Sequence, residues 1–212
     1  MTRSAVIIFL HGLGDSGAGW SSLPSVFRGR ANTSTWRYNF PTAPKRPVTC
    51  NDGAVGTAWM DLQSIPVSPR DPDDAAGFSS SSSIVHALID AELERGTEAR
   101  DIFLGGFSQG AAMALWSGLS YPRGPIGGIL ALSGWWPSSL TPPIASRAGE
   151  RVLICHGDED RVVLSECAGA AREALLARGG VAVEAHSFGG GHGFDPEESQ
   201  WMFDFISRRL NE

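Results

Sequence analysis

The chain has 212 residues and a mass of 22.5 kDa, a length at which we expect one domain spanning residues 1–212. Hydrophobic residues make up 42% of it, which is enough to bury a sizeable core. Seventeen basic and 23 acidic residues give a net charge of −6, so the long-range field repels nucleic acid and anionic lipid surfaces, and we expect neither as a partner.

The sequence contains no recognisable membrane or secretory segment. The apolar run Ala5 to Leu10 is far too short to cross a bilayer, and no basic stretch with a longer apolar run and a cleavage site precedes it. Cys50, Cys155 and Cys167 are odd in number and lack CxxC spacing, which argues against a disulfide framework and a zinc cluster. We therefore expect a cytosolic protein with reduced thiols and without stable membrane insertion.

Short apolar runs, each ended by a turn, predict β-strands. Their apolar residues do not alternate with polar ones, as expected of parallel strands buried on both faces. The predicted strands are Ala5 to Leu10, Trp36 to Phe40, Ile102 to Gly105, Ile126 to Leu132, Arg151 to Cys155 and Val181 to Ser187. Longer stretches with helical spacing lie between them, so this order predicts an α/β domain with a mainly parallel central sheet flanked by helices.

Three of the helices are predicted together with their ends. Ser81 to Arg95 carries apolar residues on one face, stops before a glycine, and is expected to take its N-cap from the serine run 79–83. Leu164 to Arg178 also stops before a glycine. The last helix is marked by Asp195 as N-cap and Pro196 at the first helical position.

Two segments do not fit this alternation. Pro41 to Ala58 is predicted to be a long irregular connection. Leu62 to Phe78 contains several prolines and aspartates and has neither helical nor strand periodicity. Long loops in a compact domain are often functional, so we expect the second segment to lie near a site.

The strongest chemical signal is the pattern GxSxG at Gly106 to Gly110, with Ser108 at its centre. It follows the predicted strand Ile102 to Gly105 and precedes a helical run, Ala111 to Leu115. In that context the serine lies on a sharp strand-to-helix turn, and the N-terminus of the helix offers N–H donors to a developing oxyanion. The pattern therefore predicts a nucleophilic serine.

A serine nucleophile needs a base, and five histidines are available. His86 and His186 fall inside a predicted helix and a predicted strand, which favours structural roles. His11 and His156 each end a strand and precede a glycine. His192 lies in a glycine-rich loop after the last strand, where hydrolases with the chain order Ser, Asp, His place the base.

The acid that orients the base is expected after the preceding strand, where Asp158 and Asp160 both occur. Either could instead bond its own turn backbone, and the residues alone leave the choice open. After the first strand, Leu13 stands between glycines, so its N–H and that of Gln109 could form an oxyanion hole. The alternative for Leu13 is a plain tight turn.

The same loop contains the sequence Gly-Asp-Ser-Gly at Gly14 to Gly17. It matches the serine signature of chymotrypsin-like proteases, but that order requires a histidine and an aspartate upstream, and only ten residues precede His11. We reject that interpretation. The block is also similar to the Gly-Asp-Ser block of another group of esterases, an alternative that Asp160 and His192 do not by themselves exclude.

Several blocks together resemble the acyl-protein thioesterase and carboxylesterase family of α/β hydrolases, in the order of that family and across nearly the whole chain. The blocks are Phe9 to Gly17, Pro41 to Pro44 with Pro47 to Thr49, Gly105 to Gly110, and His156 to Asp158. The resemblance implies the α/β-hydrolase fold. It also assigns the catalytic parts: nucleophile Ser108, acid Asp160 rather than Asp158, base His192, and oxyanion-hole N–H donors Leu13 and Gln109.

The resemblance extends to two tryptophan-bearing segments. Trp59 to Asp61 and Ser133 to Pro137 are similar to segments of the family, the second of which lines its acyl site. Candidates for an apolar acyl groove are therefore Trp59, Trp135 and Trp136, although buried tryptophans more often belong to the core. The chain departs from the family pattern at Met60, Ala111, Arg161 and Leu164.

The resemblance implies two-step hydrolysis of a carboxylic ester or thioester through an acyl group on Ser108, without a metal or organic cofactor. The expected partner is an acyl ester or thioester substrate, including an S-acylated protein, with medium to long acyl chains preferred over acetyl. A hydrolase of small esters or lactones would share every catalytic part. A non-catalytic binding protein of this fold would lack a triad member, and none is missing.

Overall fold

The computed structural model describes residues 3–140 and 149–212. Its strands are β1 (Val6–Leu10), β2 (Arg37–Asn39), β3 (Lys45–Val48), β4 (Ala54–Thr57), β5 (Ile102–Phe107), β6 (Gly128–Leu132), β7 (Glu150–Gly157) and β8 (Val181–Phe188). Six of them form one sheet in the order β2-β1-β5-β6-β7-β8, with every neighbouring pair parallel. The prediction of a mainly parallel central sheet is confirmed.

Helices cover both faces of this sheet. They are α1 (Leu23–Val26), α2 (Ala75–Glu94), α3 (Gln109–Leu119), α4 (Glu166–Arg178) and α5 (Pro196–Asn211). In β1, Ile8 and Leu10 join the core formed with α2, α3 and α4, whereas Ile7 and Phe9 join the core formed with α1 and α5. Both faces of the strand are thus apolar, which explains its uninterrupted hydrophobic run. None of the helices in the described ranges is long and apolar enough to cross a lipid bilayer.

Helix α2 starts six residues before the predicted position, so the expectation of a serine N-cap was wrong. Asp74 is the N-cap, and its carboxylate accepts a hydrogen bond from the N–H of Gly77 at 2.9 Å. The serine run lies inside the helix, where the hydroxyl of Ser83 donates to the carbonyl of Ser79. A carboxylate at the cap also interacts favourably with the helix dipole, and serines within a helix can bond to the preceding turn.

The segment Pro41 to Ala58 is more regular than predicted, because it contains the antiparallel hairpin of β3 and β4. Both strands are largely exposed and carry no alternating apolar pattern, so periodicity gave no signal for them. At the other end of the chain, the predicted N-cap of α5 is confirmed: Asp195 and Glu198 form a reciprocal capping box.

Candidate active site

Ser108 occupies a strained turn between β5 and α3. Its backbone has φ 55° and ψ −120°, a conformation that L-residues rarely adopt outside functional turns. The N–H of Ser108 donates to the carbonyl of Leu132 at 2.8 Å, and its own carbonyl accepts from Ala111 and Ala112. The turn is therefore held by the neighbouring strand and by the first turn of the helix.

The flanking glycines are required by close approach of the backbone. A Cβ at Gly106 would lie 2.2 Å from the carbonyl oxygen of Gly110. A Cβ at Gly110 would lie 2.1 Å from the carbonyl oxygen of Leu10, at the end of β1. Any side chain at either position would push the turn away from the sheet, so the GxSxG pattern here has a steric cause.

Asp160 and His192 form a hydrogen-bonded pair after β7 and β8. Nδ1 of His192 lies 2.7 Å from Oδ2 of Asp160, and the side chain of Asp160 is fully buried. Because a carboxylate can only accept, Nδ1 carries the proton, and the lone pair on Nε2 can accept another. The second carboxylate oxygen, Oδ1, accepts the N–H groups of Val162 and Val163 at 2.8 and 2.9 Å. The carboxylate is fixed from both sides.

Asp158, the other candidate acid, has a different environment. It is exposed, whereas Asp160 is only 4% exposed. The N–H of Asp158 pairs with Phe188 at the end of β8. Of the two aspartates, the structure brings only Asp160 into hydrogen-bond contact with His192.

The loop that carries His192 is attached to the loop that carries Asp160. The N–H of Glu159 donates to the carbonyl of Gly190 at 2.9 Å, and a Cβ at Gly157 would lie 2.4 Å from that same carbonyl oxygen. The glycines of the His192 loop all have φ outside the left-handed region. The position of His192 is therefore set by backbone contacts between the two loops.

The predicted oxyanion loop follows β1 and is supported from beneath. His11 is completely buried, its Nδ1 donates to the carbonyl of Gly12 at 2.7 Å, and its Nε2 accepts the N–H of Ala43 at 2.9 Å. Burial lowers the pKa of His11, which keeps the ring neutral as this pairing requires. The N–H of Gly14 donates to Thr57 in β4 at 2.8 Å, so the hairpin supports the loop that presents Leu13.

Gln109 contributes to the candidate site through its backbone and through its side chain. Its N–H is at the first position of α3, where no helical carbonyl is available to it, as an oxyanion donor requires. Its side chain is buried and holds the next segment: Oε1 accepts the N–H of Trp59 at 2.7 Å, and Nε2 donates to Met60 at 2.9 Å. The sequence predicted the oxyanion-hole role of the N–H, which stays a prediction, and gave no signal for the contacts of the side chain.

Ser108, His192, Leu13 and Gln109 all line one cavity of about 280 Å³. An apolar part of the lining of this cavity, which we call the apolar wall, consists of Leu62, Ile65, Val67, Trp135 and Val163. Two larger depressions elsewhere lack all four of these residues, and a third, of about 290 Å³, includes His192 but not Ser108. The cavity of about 280 Å³ contains both Ser108 and His192, the partner of Asp160, and is therefore the candidate site.

The structure separates the three tryptophans predicted for an acyl groove. Trp135 lines the cavity, as predicted. Trp59 is completely buried, and its indole N–H donates to the carbonyl of His11 at 2.9 Å. Trp136 is buried with the guanidinium of Arg178 over its ring at 5.5 Å. For Trp59 and Trp136 the structure favours the core interpretation.

The segment Leu62 to Phe78 contributes most of the apolar wall and is bonded to its neighbours at several positions, two of which involve residues of that wall. Val67 pairs with Val163 in an isolated parallel bridge, next to the acid loop. Asp73 accepts the N–H of Ser139 at 3.0 Å and its hydroxyl at 2.8 Å, and receives the indole N–H of Trp135 at 3.3 Å. These contacts support the expectation that this segment lies near a site.

A group of aromatic residues that the sequence did not mark lies beside His192, the candidate base. The ring of Phe107 lies 4.8 Å from that of His192, and Trp20 lies 5.5 Å from Phe107 and 5.8 Å from Phe194. Phe107 is the variable residue before Ser108, and nothing in its spacing predicts this contact. Among the residues that the structure describes, no group of three or more His, Cys, Asp or Glu could hold a metal ion.

Ser16, the alternative serine, precedes the 3₁₀ turn Gly17–Trp20, in the loop after β1.

A serine between a central parallel strand and a helix, followed in the chain by an acid and a histidine after later strands, is typical of an α/β hydrolase. The chain belongs to the phospholipase/carboxylesterase family, whose sequence model matches residues 2–210. The resemblance stated from the motifs is thereby confirmed.

Relatives with similar sequences cover nearly the whole chain. The carboxylesterase SOBER1 of Arabidopsis thaliana is 38% identical over 208 residues, which are 96% of this chain and 90% of that protein. The acyl-protein thioesterase 1 homolog 1 of Dictyostelium discoideum is 37% identical over 211 residues, 99% of this chain and 92% of that protein. The crystal structure of SOBER1 matches with a TM-score of 0.90 at 37% identity, covering 98% of this chain and 99% of that one.

Proposed function

We propose that this protein is a serine hydrolase of carboxylic esters or thioesters, with Ser108 as nucleophile, Asp160 as acid and His192 as base. The observation that carries the proposal is the 2.7 Å contact between His192 and Asp160 beside a cavity that Ser108 also lines. Membership of the phospholipase/carboxylesterase family supports the same chemistry.

In the first step, His192 Nε2 takes the proton of the Ser108 hydroxyl while Oγ bonds to the substrate carbonyl carbon. The carbonyl oxygen becomes an oxyanion and is held by the N–H groups of Leu13 and Gln109. Asp160 stabilises the imidazolium ion that has formed. The tetrahedral intermediate then expels the alcohol or thiol, which leaves with the proton from His192.

In the second step, a water molecule replaces the leaving group. His192 takes a proton from the water, the resulting hydroxide adds to the acyl carbon, and the same N–H groups hold the second oxyanion. When this intermediate breaks down, the carboxylic acid is released and Ser108 Oγ recovers the proton from His192. Every group used in this cycle belongs to the chain, to the substrate or to water.

The apolar wall supports an acyl chain as the group that enters the cavity. Each buried methylene contributes at most about 0.8 kcal/mol, so four could raise kcat/KM on the order of a hundredfold if the gain persists in the transition state. We therefore propose that medium acyl chains are preferred over acetyl. An S-acylated protein is one substrate of this kind, and relatives of similar length are named acyl-protein thioesterases.

A short-chain esterase is the second candidate. The observation that favours it is the size of the cavity, about 280 Å³, which lies just below the usual range for small-molecule sites. Ile65, which is 48% exposed, lies at the edge of the same cavity. The SOBER1 relative, named a carboxylesterase, is consistent with either candidate.

We also propose a cytosolic location for the protein. Cys50, Cys155 and Cys167 all lie in the described part of the chain and are free thiols. Reduced cysteines of this kind are typical of proteins in a reducing compartment. Localisation of the tagged protein by microscopy and cell fractionation tests this part of the proposal.

A covalent probe tests the nucleophile. We expect an organophosphonate to add one adduct at Ser108 of the intact protein, located by mass spectrometry of peptides. Ser108→Ala should lose the adduct and reduce hydrolysis by about three or more orders of magnitude. Ser16→Ala is the matched control and should keep both. An adduct at Ser16 would place the site in the loop after β1 and contradict the proposal.

A chain-length series separates the two candidate substrate classes. Esters and thioesters with two to sixteen acyl carbons would be compared by kcat/KM, with Ser108→Ala as the blank. We expect a maximum at medium length and comparable preference in both leaving-group series. A maximum at two carbons followed by a steady fall would contradict the proposed preference and favour the short-chain esterase.

A further inference from the structure

A second histidine contacts the proposed catalytic acid. His156 lies near the end of β7 and is only 2% exposed. Its Nε2 is 2.9 Å from the carbonyl oxygen of Val163 and 3.3 Å from Oδ2 of Asp160. That carboxylate oxygen is the same one that His192 contacts at 2.7 Å.

The partners of His156 determine its tautomer. A carbonyl oxygen and a carboxylate oxygen are both acceptors, so Nε2 must carry the hydrogen and donate it between them. Nδ1 has no hydrogen-bond partner among the described residues and keeps its lone pair. Burial lowers the pKa of His156, so the ring is held neutral where His192 must alternate between neutral and charged.

His156 and Val163 each contact a different oxygen of the Asp160 carboxylate. The N–H of Val163 donates to Oδ1 of Asp160 at 2.9 Å, while its carbonyl accepts from His156. His156 therefore contacts the carboxylate both directly and through the backbone of Val163. These bonds leave Oδ2 directed at His192 and spread the negative charge over several donors.

We propose that His156 is a positioning residue for Asp160, which fixes the carboxylate in the orientation that His192 needs by donating to Oδ2. The proposal rests on the proposed function, because it assumes that Asp160 is the acid. Its consequence is that His156 affects the rate and the pH dependence of hydrolysis without touching the substrate.

The test compares His156→Phe, which keeps a ring but has no donor, with His156→Gln, whose terminal amide can donate. In His156→Phe we expect kcat to fall about ten- to a hundredfold, as for the loss of a hydrogen bond to a charged group, with little change in KM. The acidic limb of the profile of kcat/KM against pH should move to higher pH. A carboxylate of Asp160 that accepts fewer hydrogen bonds attracts the proton on His192 more strongly. His156→Gln should recover part of both.

His86→Phe is the matched control. His86 lies in α2, away from the proposed triad, and its Nε2 also faces a backbone carbonyl, that of Ser117 at 2.8 Å. This variant should leave the pH profile unchanged. A His156→Phe enzyme with the kcat and pH profile of His86→Phe would overturn the proposal, as would a His156→Gln enzyme no better than His156→Phe.

If circular dichroism shows that His156→Phe does not fold, His156→Asn takes its place in the comparison. The side chain of asparagine is shorter, so its amide does not reach the position that Nε2 of His156 occupies. His156→Gln more active than His156→Asn would support the proposal, and equal activities would overturn it. Ser108→Ala is assayed in parallel. Retained activity in Ser108→Ala would defeat the proposed function, whereas an inactive Ser108→Ala with unaffected His156 variants would defeat only the positioning role.

Discussion

The two parts of the cavity lining are built in different ways. On the catalytic side, the proposed catalytic groups Ser108, Asp160 and His192 each follow a strand of the central sheet, and a backbone hydrogen bond joins the loops of the last two. Most of the apolar wall comes from the segment Leu62 to Phe78, which lies outside the sheet and is bonded to neighbouring loops at several positions, including Val67 and Asp73. The central sheet thus fixes the proposed catalytic groups, whereas the proposed acyl-binding surface depends on contacts between loops.

This difference predicts two kinds of mutational effect. Changes on the catalytic side should reduce the rate for every substrate, because they disturb groups that act in each transition state. Changes on the apolar wall should alter the preference among acyl chains and leave the rate for the smallest substrate nearly intact. The following predictions test this division, from the largest expected effect to the smallest.

The largest effect is expected at the acid. Asp160→Asn should reduce kcat by about three to four orders of magnitude for all chain lengths, because an amide in this position favours the wrong tautomer of His192. Asp158→Asn is the matched control, since Asp158 is exposed and two residues away. Steady-state kinetics of both variants are the measurement. If Asp158→Asn were the inactive enzyme, the assignment of the acid would be wrong.

The next effect is expected at Trp135, the tryptophan that lines the cavity. Trp135→Ala should lower the ratio of kcat/KM for an eight-carbon acyl group to that for acetyl by about five- to tenfold, the equivalent of one or two methylenes losing their apolar contact. Trp136→Ala is the control and should leave the ratio unchanged, even if stability falls. An unchanged ratio in Trp135→Ala would remove the apolar wall from substrate binding.

A smaller effect is expected at Asp73, which receives the indole N–H of Trp135 and both donors of Ser139. Asp73→Ala should lower the same selectivity ratio by about two- to threefold, because Trp135 loses one of the contacts that place it. Asp71→Ala changes the same segment but removes side-chain hydrogen bonds to Ser68 rather than to Trp135 and Ser139, so it controls for general loosening. Equal ratios in the two variants would show that Asp73 does not position the wall.

The smallest effect is expected on thermal stability, and it comes from Glu198, a buried carboxyl group in α5. Burial raises the pKa of Glu198 to about 8 from 4.5, so its stabilising contribution is complete below pH 4.5 and is lost as pH rises towards 8. Glu198→Gln stays neutral, so at pH 8.5 its Tm should exceed that of the wild type by about 2–4 °C, corresponding to roughly 1 kcal/mol.

The difference in Tm between Glu198→Gln and the wild type should disappear as the pH of the thermal scan is lowered towards 4.5. Glu197→Gln, an exposed neighbour in the first turn of α5, is the control and should show no such pH-dependent gain. A gap that stays constant with pH would mean that the ionisation of Glu198 does not determine the difference. Kinetics at pH 7 should be the same for both variants.

The sequence predicted the strands of the central sheet from their apolar runs. The four inner strands, β1, β5, β6 and β7, are buried on both faces, whereas the edge strands β2 and β8 are partly exposed. The sequence missed the hairpin of β3 and β4, which is exposed and has no such run. The start of α2 was misplaced because a serine run and an aspartate are both good caps, and only the packed structure distinguishes Asp74 from its competitors.

For the site, local sequence determined Ser108, because the steric demands of its turn are met within five residues by Gly106 and Gly110. The choice between Asp160 and Asp158 could not be made from the residues, since it depends on which carboxylate the fold buries against a histidine 32 residues later in the chain. The contacts of His156 and Trp135 also depend on the fold and could not be predicted from the residues. Such contacts join strands and loops far apart in sequence, and only tertiary packing decides which of them meet.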